Sequence, residues 1–225
     1  MTFFDRLTKE TEADRKRFFN RKIVSTVLKE GASKKLYVQY LEQAYHHVRY
    51  TCPLLKHAIA KINEKHNPIV HVFEEYVEEE TGHEEWILND IAFMGGDKEK
   101  VRQGNGDYPV RSMISYMYNT IDTVSPQSLL GMVFVLEGTS VNIATESAEA
   151  IAKSLNINTK KGFSYLLSHG KLDISHLDFY KNLVNTIQDK SIQDQIIDTA
   201  KMIYYLWGNM FDEIYNKYHQ LKEAA

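Results

Sequence analysis

The sequence predicts an all-α fold, and three observations carry that prediction. Helix breakers are scarce, with 4 prolines and 11 glycines in 225 residues. Apolar residues recur at helical spacing, as in Leu36, Tyr40, Leu41, Ala44 and Val48, or Ile196, Ala200, Ile203, Trp207, Met210, Phe211 and Ile214. Such a stripe is what a helix turns toward a core. Alternation with period two, the mark of a half-buried strand, is hard to find.

Taken in order, the spacing predicts helices near 3–29, 34–64, 68–94, 111–122, 126–155, 161–169, 173–187 and 191–221. Gly31-Ala32-Ser33 ends the first and offers Ser33 as the N-cap of the second, because a serine oxygen accepts from the free amides of the first turn. Asn67-Pro68 starts the third, with Pro68 in a first-turn position where no N–H is missed. Gly95-Gly96-Asp97 stops it, and 95–110 is expected to be the one long loop. Ser125-Pro126 opens a central apolar helix that Asn156-Ile157-Asn158 closes. No repeat, low-complexity tract or linker divides the chain, so one domain over 1–225 is expected.

Composition narrows the function classes. A net charge of −3 argues against nucleic-acid binding, which needs a concentrated basic surface. Cys52 is the only cysteine, so no intramolecular disulfide forms and a reducing cytoplasm is expected. The N-terminus lacks a basic stretch followed by an apolar run. No uninterrupted apolar run approaches the ~20 residues that span a bilayer, so no membrane insertion is expected.

Polar islands inside apolar helices carry the chemistry. One is His169-Gly170-Lys171-Leu172-Asp173-Ile174-Ser175-His176. On an unbroken helix, His169, Asp173 and His176 share one face, since residues three or four apart stack. Gly170 is expected to break the helix and make the segment mobile, in which case the three still stay within about two turns. A second island is Glu79-Glu80-Thr81-Gly82-His83. Glu80 and His83 have the i, i+3 spacing that places a Glu and a His on one metal in carboxylate-bridged di-iron bundles, with Glu79 the competing ligand. The third is Glu137, alone after the apolar stretch from Leu129 to Leu136. A buried carboxylate costs several kcal/mol unless a metal, cation or proton balances it.

Three carboxylates and three imidazoles on three helical segments make up the ligand set of a non-haem di-iron site, and this donor type suits Fe(II), Mn(II) or Zn(II). Each island has a structural alternative. Glu80 and His83 fit a surface pair in an acidic helix. Glu137 fits a carboxylate satisfied by Arg, Tyr or backbone, and His169 and His176 fit a helix-end and a core histidine. His46, His47 and Arg49 form one more candidate cluster, with one histidine lining a pocket and the arginine binding a substrate carboxylate. Cys52, Trp86 and Trp207 read as core residues.

At these residues the chain resembles the haem-oxygenase-like superfamily, and within it the iron-containing redox enzymes, or haem-oxygenase-like di-iron oxidases. The resemblance runs through Gln39–Arg49, Glu78–Asp90, Gly131–Ser140 and His169–His176. It implies an up-and-down helical bundle with a central pocket, in which Glu80, His83, Glu137, His169, Asp173 and His176 hold a labile di-iron cofactor. It further implies an oxidase or oxygenase that uses O2 on a small organic substrate, and it is compatible with a homodimer. Two relatives are nearby alternatives: a metal-free cofactor-biosynthesis oxidase of the pyrroloquinoline-quinone synthase type, and a TenA-like thiamin-related protein. A non-catalytic binding protein on the same scaffold is a third. Haem oxygenase places a proximal histidine in its first helix, and residues 1–29 contain none. Thiaminase II carries a cysteine in its central helix, which is absent here. Some di-iron relatives place a Glu seven residues before His83, where this chain has Tyr76.

Overall fold

A computed structural model describes the backbone of residues 1–62 and 67–223, and their side chains apart from 171–176 and 221–223. Among the described residues there are only helices, turns and loops. The first predicted helix is three: α1 (Phe3–Glu10), α2 (Glu12–Phe19) and α3 (Lys22–Glu30). They are followed by α4 (Lys34–Val48), α5 (Thr51–Lys61), α6 (Pro68–Glu80), α7 (His83–Phe93), α8 (Lys98–Gln103) and α9 (Tyr108–Thr123). A 3-10 turn, Pro126–Ser128, leads into α10 (Leu129–Ser154), then α11 (Ser164–Val184) and α12 (Lys190–Glu223).

Several starts follow from local chemistry. Thr2 and Asp5 form a reciprocal capping box on α1. Ser33 accepts from the Leu36 amide, and Asn67 accepts from the Ile69 amide ahead of Pro68. Asp97 accepts from the Glu99 and Lys100 amides and so begins α8, inside the segment expected to be one long loop.

Two further differences bear on the site. The third predicted helix is broken at Thr81-Gly82, with Gly82 at φ +93°. Conversely, α11 runs without interruption through Gly170. A Cβ there would meet Thr145 Oγ1 at 2.4 Å and the Thr145 amide nitrogen at 3.2 Å. Gly170 is therefore the close-approach point of α11 on α10, not a hinge.

The central helix α10 lies against α11, α12 and α3, while α4 packs on α7 and α5 on α6. The segment Pro126–Ser154 is long and apolar enough by composition to cross a bilayer, although the sequence offers no unbroken run of that length. In this fold 56% of its most apolar window is buried, with Leu130, Val135 and Ala148 in the core. Burying such a helix on several sides against its neighbours is what a hydrophobic centre requires.

Candidate metal centre

Glu80 is the last residue of α6 and His83 the first of α7. The Thr81-Gly82 turn joins them, and His83 Nδ1 lies 3.1 Å from Glu80 Oε2. His169 approaches from α11, with Nε2 3.9 Å from the same oxygen. One ligand atom from each of Glu80, His83 and His169 lies within 4.8 Å of the others. The side chains of Glu80, His83 and His169 are 11%, 6% and 14% exposed, so the cluster is shielded from solvent.

Neighbouring groups orient each donor. His169 Nδ1 sits 3.1 Å from the Tyr165 carbonyl, so Nδ1–H donates there and Nε2 is the ring nitrogen turned toward Glu80. Trp86, one turn into α7, stacks on His83 with ring centroids 4.0 Å apart and planes at 27°. Burial alone would push the Glu80 carboxyl up, but hydrogen bonds from His169 and His83 and their charge hold it down at about 2. The carboxylate is ionised at neutral pH, the state a metal requires.

The helix that carries His169 is anchored from across the chain. Asp90 on α7 is 1% exposed. Its Oδ1 accepts from the Ser164 amide at 3.1 Å and the Ser164 hydroxyl at 2.7 Å, and its Oδ2 accepts from the Tyr165 amide at 2.9 Å. These amides belong to the first turn of α11, whose own N-cap position, Phe163, has no side chain to cap them.

An apolar cavity of about 160 Å³ opens beside the cluster, walled by α3, α4, α5, α6, α10, α11 and α12. Glu80, His169 and Glu137 all stand on its wall. Glu137 Oε2 accepts from the Tyr76 hydroxyl at 3.3 Å. Burial and the Glu137 charge push the Tyr76 hydroxyl far above its usual range, so it remains a donor.

Residues 38–208 match the sequence profile of the family described as iron-containing redox enzyme. The chain belongs to this family. No curated protein matches it in sequence. Among solved structures, it is similar to a domain of unknown function with a haem-oxygenase-like fold from Shewanella denitrificans OS217, at 21% identity, covering 100% of this chain and 97% of that one, with a TM-score of 0.86. A TenA homologue from Pseudomonas syringae pv. tomato DC3000 is similar at 13% identity over 95% of this chain and 93% of that one, with a TM-score of 0.78. Haem oxygenase-1 from Synechocystis sp. PCC 6803, in complex with haem, is similar at 13% identity over 100% and 97%, with a TM-score of 0.75. At these identities the likeness establishes the haem-oxygenase-like helical fold.

In this iron-containing redox enzyme family member, the sequence-predicted site residues divide into three groups. Glu80, His83 and His169 converge, whereas Glu79 is exposed. Glu137 lies on the cavity wall outside that group of three, held by a tyrosine as one alternative reading had it. Asp173 and His176 fall on α11, and their side chains lie outside the described residues. Arg49 is absent from the cavity wall. Its guanidinium lies over the Tyr45 and Tyr50 rings, 5.6 and 5.3 Å from their centroids. His47 lines the cavity, and burial together with His169 and His46 lowers its imidazole to about 3. Sequence reasoning missed Asp90 entirely. Its partners are 74 and 75 residues away, and no local pattern announces a cap given to a distant helix.

Proposed function

We propose that the chain is an O2-activating non-haem di-iron oxidase acting on a small organic substrate in the cytoplasm, built as a single domain over residues 1–225. The observation that carries this reading is the convergence of one ionised carboxylate and two imidazoles, Glu80, His83 and His169, at the edge of an apolar cavity. This donor set fits iron. It combines hard oxygen and imidazole nitrogen, with no cysteine in the cluster to favour a soft metal.

In the proposed centre Glu80, His83 and His169 would hold one iron, and Glu137, Asp173 and His176 would complete the set for the second. The uninterrupted α11 supports this assignment, because positions 169, 173 and 176 of a continuous helix share a face. Bound iron supplies the electrons and the open coordination position with which O2 oxidises an organic molecule. The protein's own part is positional. The Tyr165 carbonyl fixes the His169 tautomer, and Trp86 fixes the His83 ring. The Tyr76 hydroxyl steadies Glu137 on the cavity wall. The apolar lining keeps water from the substrate and so strengthens every polar contact at the site.

The test is anaerobic Fe(II) loading with metal analysis, followed by an optical record on exposure to O2. Uptake of about two irons per chain, lost in Glu80→Ala and His169→Ala while helical content persists, is the expected result. A folded protein that takes up no iron overturns the reading in favour of the metal-free oxidase or the non-catalytic binding protein.

A further inference from the structure

The cavity is apolar but carries polar atoms that no contact among the described residues satisfies. Both ring nitrogens of His47, Nε1 of Trp207 and Oγ of Ser140 are buried and lack a hydrogen-bond partner. All three residues line the same cavity. His47 and Trp207 are 3% and 6% exposed. They meet edge to face, with ring centroids 6.2 Å apart and planes at 80°. Leaving a buried polar group unpaired costs about 1–3 kcal/mol. Thr139 Oγ1, on the same wall, is a further buried atom of this kind. A single orphan is tolerable; four such residues around one cavity point to a ligand that pairs some of them.

Their chemistry restricts what that ligand is. A neutral imidazole offers one donor and one acceptor, an indole one donor, and a hydroxyl one of each. A hydroxyl or carbonyl oxygen can take both ring N–H groups, and a hydroxyl can return a proton to the other imidazole nitrogen. No lysine or arginine is found among the described residues of the wall, whereas Glu80 and Glu137 are. An anionic group buried beside His47 would find no cation to balance it. The rest of the wall is aliphatic, with Val24, Leu54, Leu129 and Ile143 among its residues. A cavity of about 160 Å³ is close in volume to engineered apolar cavities that take up benzene.

We propose that His47, Trp207 and Ser140 form a binding subsite for the uncharged polar group, a hydroxyl or carbonyl, of a small and mostly apolar substrate whose remainder fills the aliphatic part of the cavity. The proposal deepens the oxidase reading, and the subsite's role in substrate selection rests on that reading. The ligand is held by His47, Trp207 and Ser140 on α4, α12 and α10, while Glu80 and His169 bring the oxidising centre in from α6 and α11.

The experiment is calorimetric titration of the full chain, iron-free and iron-loaded, with 1-hexanol, hexanoate and 1-chlorohexane. The iron-free protein is expected to bind 1-hexanol about tenfold more tightly than hexanoate. His47→Leu is expected to weaken 1-hexanol by about tenfold and to leave 1-chlorohexane within about twofold. Trp207→Phe serves as the second variant and shifts selectivity in the same direction. Equal or tighter binding of hexanoate to the iron-free protein overturns the proposal, as does unchanged 1-hexanol affinity in both folded variants. Iron uptake is measured on the same samples. Loss of iron in His47→Leu overturns the subsite by making His47 a metal ligand. Wild-type protein that takes up no iron yet keeps the alcohol preference refutes the oxidase reading alone and leaves the subsite standing.

Discussion

Asp90→Ala tests whether the candidate centre is held by a contact across the fold. In the native protein the buried carboxylate receives the Ser164 and Tyr165 amides and the Ser164 hydroxyl. The substitution leaves two first-turn amides of α11 without a partner, each worth about 1–3 kcal/mol when buried. It also recovers something. Burial pushes the Asp90 carboxyl above its ordinary value despite the hydrogen bonds it accepts, so removing the charge relieves part of a desolvation cost. The balance is a loss of about 3 kcal/mol, toward the high end for single substitutions. In a chain of this length that lowers Tm by roughly 6–12 °C. Asp90→Asn keeps one acceptor oxygen and is expected to lose about half as much. Urea denaturation of iron-free protein followed by circular dichroism measures both, with an unchanged m-value as the check that native compactness is retained. A loss below about 1 kcal/mol for Asp90→Ala would refute the cap argument. So would equal losses for Ala and Asn, since the effect would then track charge and not the acceptor atoms.

The remaining predictions concern protons and two glycines. His47 and His46 are held neutral by burial, His47 at about 3 and His46 at about 4, against 6.5 in an unfolded chain. Below 6.5 the unfolded state therefore binds more protons than the native state, and stability falls as pH falls. In iron-free protein His47→Leu is expected to flatten the stability–pH slope between about pH 5 and 6.5 by about 1 kcal/mol per pH unit; an unchanged slope contradicts a buried neutral imidazole. Gly170→Ala is expected to cost about 1–2 kcal/mol by overpacking against Thr145. A gain, as a freely exposed helical glycine would give, would return Gly170 to the role of hinge. Gly82→Ala is expected to lose about 1–2 kcal/mol through its positive φ alone, since nothing lies within 4 Å of the added methyl. Gly82→Asn should lose less, and equal losses would point to sterics instead.

The sequence was legible where the governing forces are local. Apolar spacing located the helices, and Ser33, Asn67-Pro68 and Ser125 mark real starts. It was illegible where tertiary packing divides a periodic stretch. The breaks at Thr11 and at Asn20-Arg21 carry no proline or glycine; the break at Arg49-Tyr50 does have a local cause, Pro53, which cannot donate to the Arg49 carbonyl. The two glycines near the site were read in the opposite sense. Gly82 sits in a continuous helical pattern yet bends the chain, while Gly170 looks like a hinge and is a packing contact. Period and composition cannot separate these cases, because one depends on φ and the other on the distance to a neighbouring helix. The ligand types Glu80, His83 and His169 were visible because charged and imidazole groups are conspicuous among apolar neighbours. The polar atoms of His47, Trp207 and Ser140 become significant only once their lack of partners is known.

The turn at Gly82 changes how the i, i+3 motif works. On an unbroken helix Glu80 and His83 would be neighbours about 60° apart around the axis, each free to choose its rotamer. Here Glu80 closes α6, and the free amides of α7 begin three residues later. The Gly82 position has no side chain to cap those amides. The N-terminal end of a helix carries partial positive charge and favours a nearby anion. The break therefore puts the ionised carboxylate at the end of one helix and His83 at the start of the next, the end that favours an anion, while Trp86 stacks on His83 within α7. A site assembled from two helix ends and one uninterrupted helix is more constrained than three residues projecting from straight rods. Its precision rests on Gly82 and Asp90 as much as on the donors themselves.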